Sequence, residues 1–266
     1  MQKIIEFPDL LRLIDERSTA FRAAIAAAPG LDVQVPTCPE WTLFDLVQHL
    51  GGGRRSWADT IAAGPDAAGR VRSASHAAPA GPQEREALLA WLAASTQQLV
   101  DALREAGPER GCWTWWGGSQ SPPTCGAVAR HQLQEISVHT YDAQLTVGAP
   151  QPLPAEVALD GAEDFLSTCC ATPSAWPHEP TAFDFHAAEG RSWRLTVDGD
   201  GARYTRIPAP GSTPAAGETL EPAGACVHGT ASELVLFMYD RIPLDSLRVE
   251  GDRGLIDLLR AWEPAE

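Results

Sequence analysis

Near residue 174 the hydrophobic pattern of this 266-residue chain changes period, and that change restricts the folds open to it more than any other feature. Up to about residue 170, apolar residues recur at spacings of three and four, with breaks rich in Gly, Pro and Ala, as in amphipathic helices. Beyond it, TAFDFHA, SWRLTV and ARYTRI alternate apolar and polar residues, with the turn DGDG between the last two, as in half-buried strands. A chain that switches in this way builds a helical layer first and a sheet-bearing one second, which predicts an α+β protein. The expected boundaries are a helical bundle over residues 1–172 and a smaller α/β domain over residues 173–266.

Local signals place the helices. The first covers roughly 6–28 and stops before Pro29-Gly30. The second starts after Pro39, where Thr42 as N-cap and Asp45 three residues on make a capping box. A linker rich in Ala, Gly and Pro spans about 64–82; the third helix then closes at Gly107-Pro108, and a fourth runs from about Cys125 to Leu145 with Gly148 in the position after the C-cap. The intervening ERGCWTWWGGSQSPPT is too irregular for helix or strand. These four long helices are expected to form an up-down four-helix bundle, which a shorter fifth helix over about 154–169 completes. In the second domain TASELVLFMYDR and GDRGLIDLLRAW read as helices, with LRVEG a short strand between them.

Composition excludes several classes of function. With 44% hydrophobic residues and 21% charged, the chain has enough apolar material for a large core. The net charge of −15, with Lys3 the only lysine among scattered arginines, lacks the basic stripe that tracks a phosphate backbone, so no nucleic-acid partner is expected. No apolar run reaches the length of a membrane span, and the N-terminal segment carries acids where a signal peptide needs a long apolar stretch. A cytoplasmic protein with no membrane partner is expected. The six cysteines, Cys38, Cys112, Cys125, Cys169, Cys170 and Cys226, form no CxxC pair, which supports neither a disulfide framework nor a cysteine-ligated zinc. Nine tryptophans, with Trp113, Trp115 and Trp116 crowded together, suit core packing or an aromatic wall beside a ligand.

The residues that carry chemistry lie on the second and fourth helices. Glu135 and His139 are four apart and project from one helix face, with His131 four residues earlier on the same stripe. Such a stripe is also what a polar helix surface looks like. His49 stands among Leu46, Val47 and Leu50, and a buried imidazole needs a partner for each ring nitrogen: a metal on one and a carboxylate, for which Asp45 is a candidate, on the other. A core histidine bonded to a neighbouring side chain satisfies the same pattern. Together His49, Glu135 and His139 offer two imidazoles and a carboxylate, a set that suits zinc with an open coordination position and also suits non-haem iron.

The opening VPTCPEWTLFDLVQHL, followed some 80 residues later by RHQLQEISVHTYDAQ, resembles the mycothiol-dependent maleylpyruvate isomerase family, within the wider group of metal-binding four-helix bundles named after the DNA-damage-inducible protein DinB. Val35, Pro36, Cys38, Pro39, Trp41, Thr42, His49, Glu135, His139 and Asp142 all fall on that family's pattern. The resemblance implies a divalent metal, usually zinc, on His49, Glu135 and His139, with mycothiol or a similar thiol as co-substrate. It also implies a C-terminal domain similar to sterol carrier protein. Many relatives read Trp-Gly-Arg where this chain has Tyr239-Asp240-Arg241. The arginine is kept and the glycine lost, and Arg241 matches the position implicated in handling an anionic substrate. Its alternative role is to close the helix that begins near Ala231. Where His131 stands, relatives commonly carry arginine. Cys38 lacks a general base in the sequence and is expected to pack against the fourth helix.

The function expected on this basis is activation of a small thiol as thiolate, for addition to an electrophilic small molecule. If the adduct turns about a former double bond and expels the thiol, the enzyme is a cis-trans isomerase; if the adduct is released, it is an S-transferase. The resemblance tips the reading towards transferase, because the bundle superfamily contains many thiol transferases, and the lost glycine before Arg241 adds to it. A metal-dependent hydrolase using water at the same site, and a metal- or ligand-binding protein without chemistry, are the alternatives. A monomer or homodimer is expected.

Overall fold

The structure is a computed structural model that describes residues 5–67, 81–208 and 221–264, so most of the expected 64–82 linker lies outside the described residues. Two compact units are present: one comprises the chain up to Trp115 and Pro122–Leu153, the other Trp116–Ser121 and the chain from Pro154 onward.

The first unit is a helical bundle. Helix α1 (Phe7–Ala27) has Pro8 in its first turn, where the missing N–H costs nothing. A short two-stranded ribbon, β1 (Gln34–Val35) and β2 (Cys38–Thr42), leads directly into α2 (Leu43–Ala63). The expected capping box is formed: Thr42 Oγ1 accepts from the Asp45 backbone N–H at 3.3 Å, and the Asp45 carboxylate accepts from the Thr42 N–H at 2.9 Å. Helix α3 (Arg85–Ala106) stops at Gly107, whose φ of 74° few other residues adopt, and α4 (Cys125–Thr146) is capped by Thr124. Helix α1 packs on α4 and α3, and α2 on α3. Leu13, Ile14, Phe21 and Ile25 of α1, Leu88, Leu92, Leu99 and Leu103 of α3, and Leu43, Leu46 and Val47 of α2 are buried in the core. Each such side chain contributes about 1.5–3 kcal/mol on burial. One cation is buried among them: Arg54 of α2 donates to Thr96 Oγ1 at 2.5 Å and Ser18 Oγ at 2.9 Å. The tryptophan-rich stretch before α4 is irregular, as expected, and is tied at its base by Cys112 N–H to Pro123 O and Cys125 N–H to Arg110 O, both 2.9 Å.

The second unit is α/β. Helix α5 (Ala155–Phe165) runs on into a π-helical turn, Leu166–Cys170. Strands β3 (Thr181–Ala187), β4 (Ser192–Asp198), β5 (Gly201–Ile207), β6 (Ala225–Gly229) and β7 (Arg248–Gly251) form one mixed sheet in the order β5-β4-β3-β6-β7, in which only β3 and β6 run parallel. Helix α6 (Ala231–Met238) follows β6, and α7 (Arg253–Ala261) follows β7. The period-two pattern is realised side by side, with Phe183 opposite Leu195 and Phe185 opposite Trp193 on the buried face. On the other face Asp184 accepts from Arg194 Nε and Nη2 at 2.7 and 2.8 Å.

In the second unit two features differ from the reading of the sequence. Helix α5, expected to complete the bundle, packs on α6 in the second unit. Its Glu163 accepts from Trp193 Nε1 at 3.2 Å and Arg206 Nε at 3.1 Å, an anchor that periodicity does not reveal. Strand β6 was not anticipated: ACVHG has a single β-branched residue, and it is a strand because it lies between β3 and β7. Among the described residues no helix is long and apolar enough to cross a membrane.

Candidate metal centre

Helix α2 delivers His49, and α4 delivers Glu135 and His139. The Thr42 cap fixes where α2 begins, and burial of Leu46, Val47 and Leu50 fixes its rotation, which leaves His49 at the edge of the buried stripe. On α4 the four-residue spacing stacks Glu135 and His139 one turn apart. A single carboxylate oxygen, Glu135 Oε1, lies 2.7 Å from His49 Nε2 and 3.4 Å from His139 Nε2. The two rings meet edge to face with centroids 5.2 Å apart, and Trp41 of β2 covers them at 4.7 Å from His49 and 6.1 Å from His139. Access is one-sided: the His49 side chain is 40% exposed and that of His139 only 9%.

The far nitrogen of His139 is also committed. Nδ1 lies 2.8 Å from Asp142 Oδ2, and Asp142 Oδ1 in turn accepts from Thr37 Oγ1 at 2.7 Å. A carboxylate only accepts, so Nδ1 carries a proton, and Nε2 is the nitrogen aimed at Glu135. Burial alone would raise the Glu135 carboxyl, but hydrogen bonds with His139 and His49 outweigh it and hold the pKa well below the usual range. Burial would likewise lower His139, yet Asp142 and Glu135 push it up to about 9. Positive charge is thus favoured at the point where the three side chains meet.

The residues present fit a divalent cation. Their donor atoms lie within 4.8 Å of one another, the set is two imidazoles and a carboxylate, and one imidazole already has the carboxylate partner that metal-bound histidines require. Cys38, Asp142 and His139 form an overlapping group, with Cys38 Sγ 3.9 Å from Asp142 Oδ2, which is the contact with α4 expected for this cysteine. A third group, Asp184, His186 and Cys226 on β3 and β6, is less suited because both oxygens of Asp184 already accept from Arg194.

Several candidates take other places. Asp45 spends its carboxylate on the Thr42 backbone N–H and hydroxyl, and Asp142, one turn beyond His139, is the carboxylate found on a triad imidazole. Its spacing of three from His139 was legible, but a role for it was not, because the Thr37 contact comes from a segment 105 residues away. His131 is outside the triad and lies edge to face with Trp115 at 5.6 Å. Beside the triad is a cavity of about 250 Å³ lined by His49, Glu135, Arg54, Trp57, Trp115 and His131 among others; of the three clustered tryptophans, Trp115 alone lines it. Arg241 belongs to the second unit, at the end of α6, where its backbone N–H donates to Leu236 O at 2.7 Å and its Nη1 to Tyr239 O at 2.6 Å. Just before it, Asp240 has a φ of 60°, the left-handed backbone that glycine adopts freely and Asp tolerates.

The family model for the mycothiol maleylpyruvate isomerase N-terminal domain matches residues 11–144, and that for the MDMPI C-terminal domain matches residues 156–258. No curated protein sequence matches the chain. Among solved structures, the mycothiol-dependent maleylpyruvate isomerase aligns over 92% of this chain and 93% of its own with a TM-score of 0.53 at 12% identity. A histidine-to-alanine variant of that isomerase aligns over the same shares with a TM-score of 0.54 at 11% identity. At these identities the structures report a shared fold, a helical region followed by an α/β part.

Proposed function

Since the chain belongs to the mycothiol maleylpyruvate isomerase family, we propose that it is an enzyme that directs a low-molecular-weight thiol, mycothiol or a similar one, at a small electrophile. In this reading His49, Glu135 and His139 hold a divalent cation, zinc in the first instance. The observation that carries it is the convergence of two imidazole Nε2 atoms on one buried-side carboxylate oxygen, with Asp142 orienting the second imidazole. A divalent cation so held supplies Lewis-acid stabilisation of a sulfur anion at neutral pH.

The chain's own residues set the terms of access. His49 is the exposed member, so a thiol enters from its side, while Trp41 covers the imidazoles and limits water around them. Asp142 keeps Nε2 of His139 turned towards Glu135, and a cation held there would take the place of the proton shared by His49 Nε2 and Glu135 Oε1. The thiol gives up its proton and its sulfur bonds to an electrophilic carbon. Isomerase and S-transferase share that step and differ in whether the adduct is expelled or kept. The missing glycine before Arg241 favoured transferase in the sequence, but Asp240 takes up a left-handed backbone there, so the objection to an isomerase loses its force. Arg241 is our candidate for binding a carboxylate of an anionic electrophile, a task suited to a guanidinium fork.

The test is metal analysis of the purified protein, joined to turnover assays of maleylpyruvate and a panel of electrophiles with and without mycothiol. Bound stoichiometric metal and thiol-dependent turnover are expected, and His49→Ala loses both. Full activity in metal-free His49→Ala overturns the reading, and turnover without thiol replaces it with the hydrolase. Arg241→Leu is expected to raise KM for anionic electrophiles and leave metal content unchanged.

A further inference from the structure

The cavity beside the triad lies within the helical unit, and its walls differ in chemistry. His49 and Glu135 are part of the lining, and Trp57 of α2, Trp115 before α4 and His131 of α4 bring three further rings to it. Trp115 is 53% exposed, the more open of the two large apolar side chains that stand exposed among the described residues, and it is held edge to face by His131. An indole half exposed beside the candidate metal centre costs apolar area that burial in a core would have recovered. The guanidinium in the lining, Arg54, turns its Nη1 and Nη2 to the hydroxyls of Thr96 and Ser18, which leaves the rings as the main contact surface and the Gln132 amide as a further polar group in the wall. Gly53, also in the lining, has open space where a Cβ would stand, which leaves room for a flat ligand.

We propose that this cavity is the subsite for a planar, conjugated electrophile, such as a quinone or an aryl-substituted enone, whose ring stacks on Trp115 and Trp57 with its reactive carbon towards His49 and Glu135. Electron-poor rings complement the electron-rich faces of indoles, and carbons that accept a thiolate belong to electron-poor π systems. A volume of about 250 Å³ suits a one- or two-ring molecule. In the addition the S–H proton leaves the sulfur, and an S–C bond forms at the β carbon. The conjugated π pair shifts to the carbonyl oxygen, and the enolate takes up a proton. The ring therefore has to lie flat enough for that carbon to face the sulfur.

This inference rests on the proposed function for the identity of the reaction, though not for the binding, and the test separates the two. Phthalimide and succinimide are both neutral imides, and only the first has an aromatic ring. Their binding to the metal-loaded full-length protein, without thiol, is measured by calorimetry for wild type, Trp115→Ala, Trp115→Phe and Trp57→Ala. Phthalimide is expected to bind at least about tenfold more tightly than succinimide, to lose about tenfold in Trp115→Ala and to recover in Trp115→Phe, as removal of one stacking partner requires. Equal binding of the two imides, or binding indifferent to both tryptophans, overturns the subsite. Displacement of phthalimide by saturating mycothiol assigns the cavity to the thiol and overturns it as well. Ring-dependent binding in a protein with no thiol-dependent turnover keeps the subsite and discards the thiol enzyme.

Discussion

Asp142 shows how one side chain governs another. It is fully buried, its two oxygens are held by Thr37 and His139, and it fixes which imidazole nitrogen faces Glu135. Asp142→Asn keeps the shape and loses the purely accepting oxygen pair, so metal affinity is expected to fall about 10–100-fold, read by competition with a chromogenic chelator. Unchanged affinity would show that His139 is oriented by other means. In the sheet, His186 of β3 stacks on His228 of β6 at 4.7 Å, with Asp184, Glu250 and Arg248 also acting on it; burial first, and then the charge of His228, lowers its pKa. The neutral form is therefore the one the fold prefers. Its contribution is complete above the unfolded value of about 6.5 and is lost as pH falls below it. Stability of the second unit should drop between about pH 7.5 and about pH 5.5, and His186→Gln should flatten that drop in urea titrations monitored at both pH values.

At the scale of elements, α2 combines legible and illegible information. Its start was readable from Thr42 and Asp45, because a capping box is a contact between near neighbours in sequence. The roles of Gly51 and Gly53 were not, because one is set by a residue of another helix and the other by open space. A Cβ on Gly51 would lie 1.9 Å from the Trp91 ring of α3, whereas one on Gly53 would meet no atom within 4 Å. Gly51→Ala should cost about 1–3 kcal/mol from overpacking, more than the gain of up to about 1 kcal/mol from helix propensity. Gly53→Ala should keep that gain, so opposite shifts of the denaturation midpoint are expected from the same substitution two residues apart. Strand β6 illustrates the reverse difficulty, since a segment with weak β preference becomes an interior strand of a sheet through its partners.

For the molecule as a whole, the candidate centre ties α2 to α4 across 86 residues of chain. A cation that binds the folded triad and not the unfolded chain stabilises the helical unit by mass action, by about 2.7 kcal/mol at a free concentration a hundred times Kd. Removal of metal with a chelator is expected to lower the calorimetric transition of that unit, and stoichiometric zinc to restore it. A transition indifferent to both treatments would count against a resident metal.

The change of hydrophobic period near residue 174, the helix caps and the spacings of four between Glu135 and His139 and of three between His139 and Asp142 are local properties, set by backbone geometry over a few residues, and they could be read directly from the order of amino acids. That order also placed the α+β architecture, a helical bundle followed by an α/β unit. Folding alone decided which side chains meet across long stretches of chain. It set His49 against Glu135, placed Asp142 on His139 while Asp45 stayed on its own helix cap, put Trp115 and not Trp113 or Trp116 on the cavity wall, and tied α5 to the sheet through Glu163. Each of these depends on how the elements pack, and packing is settled by the shapes of residues far apart in sequence.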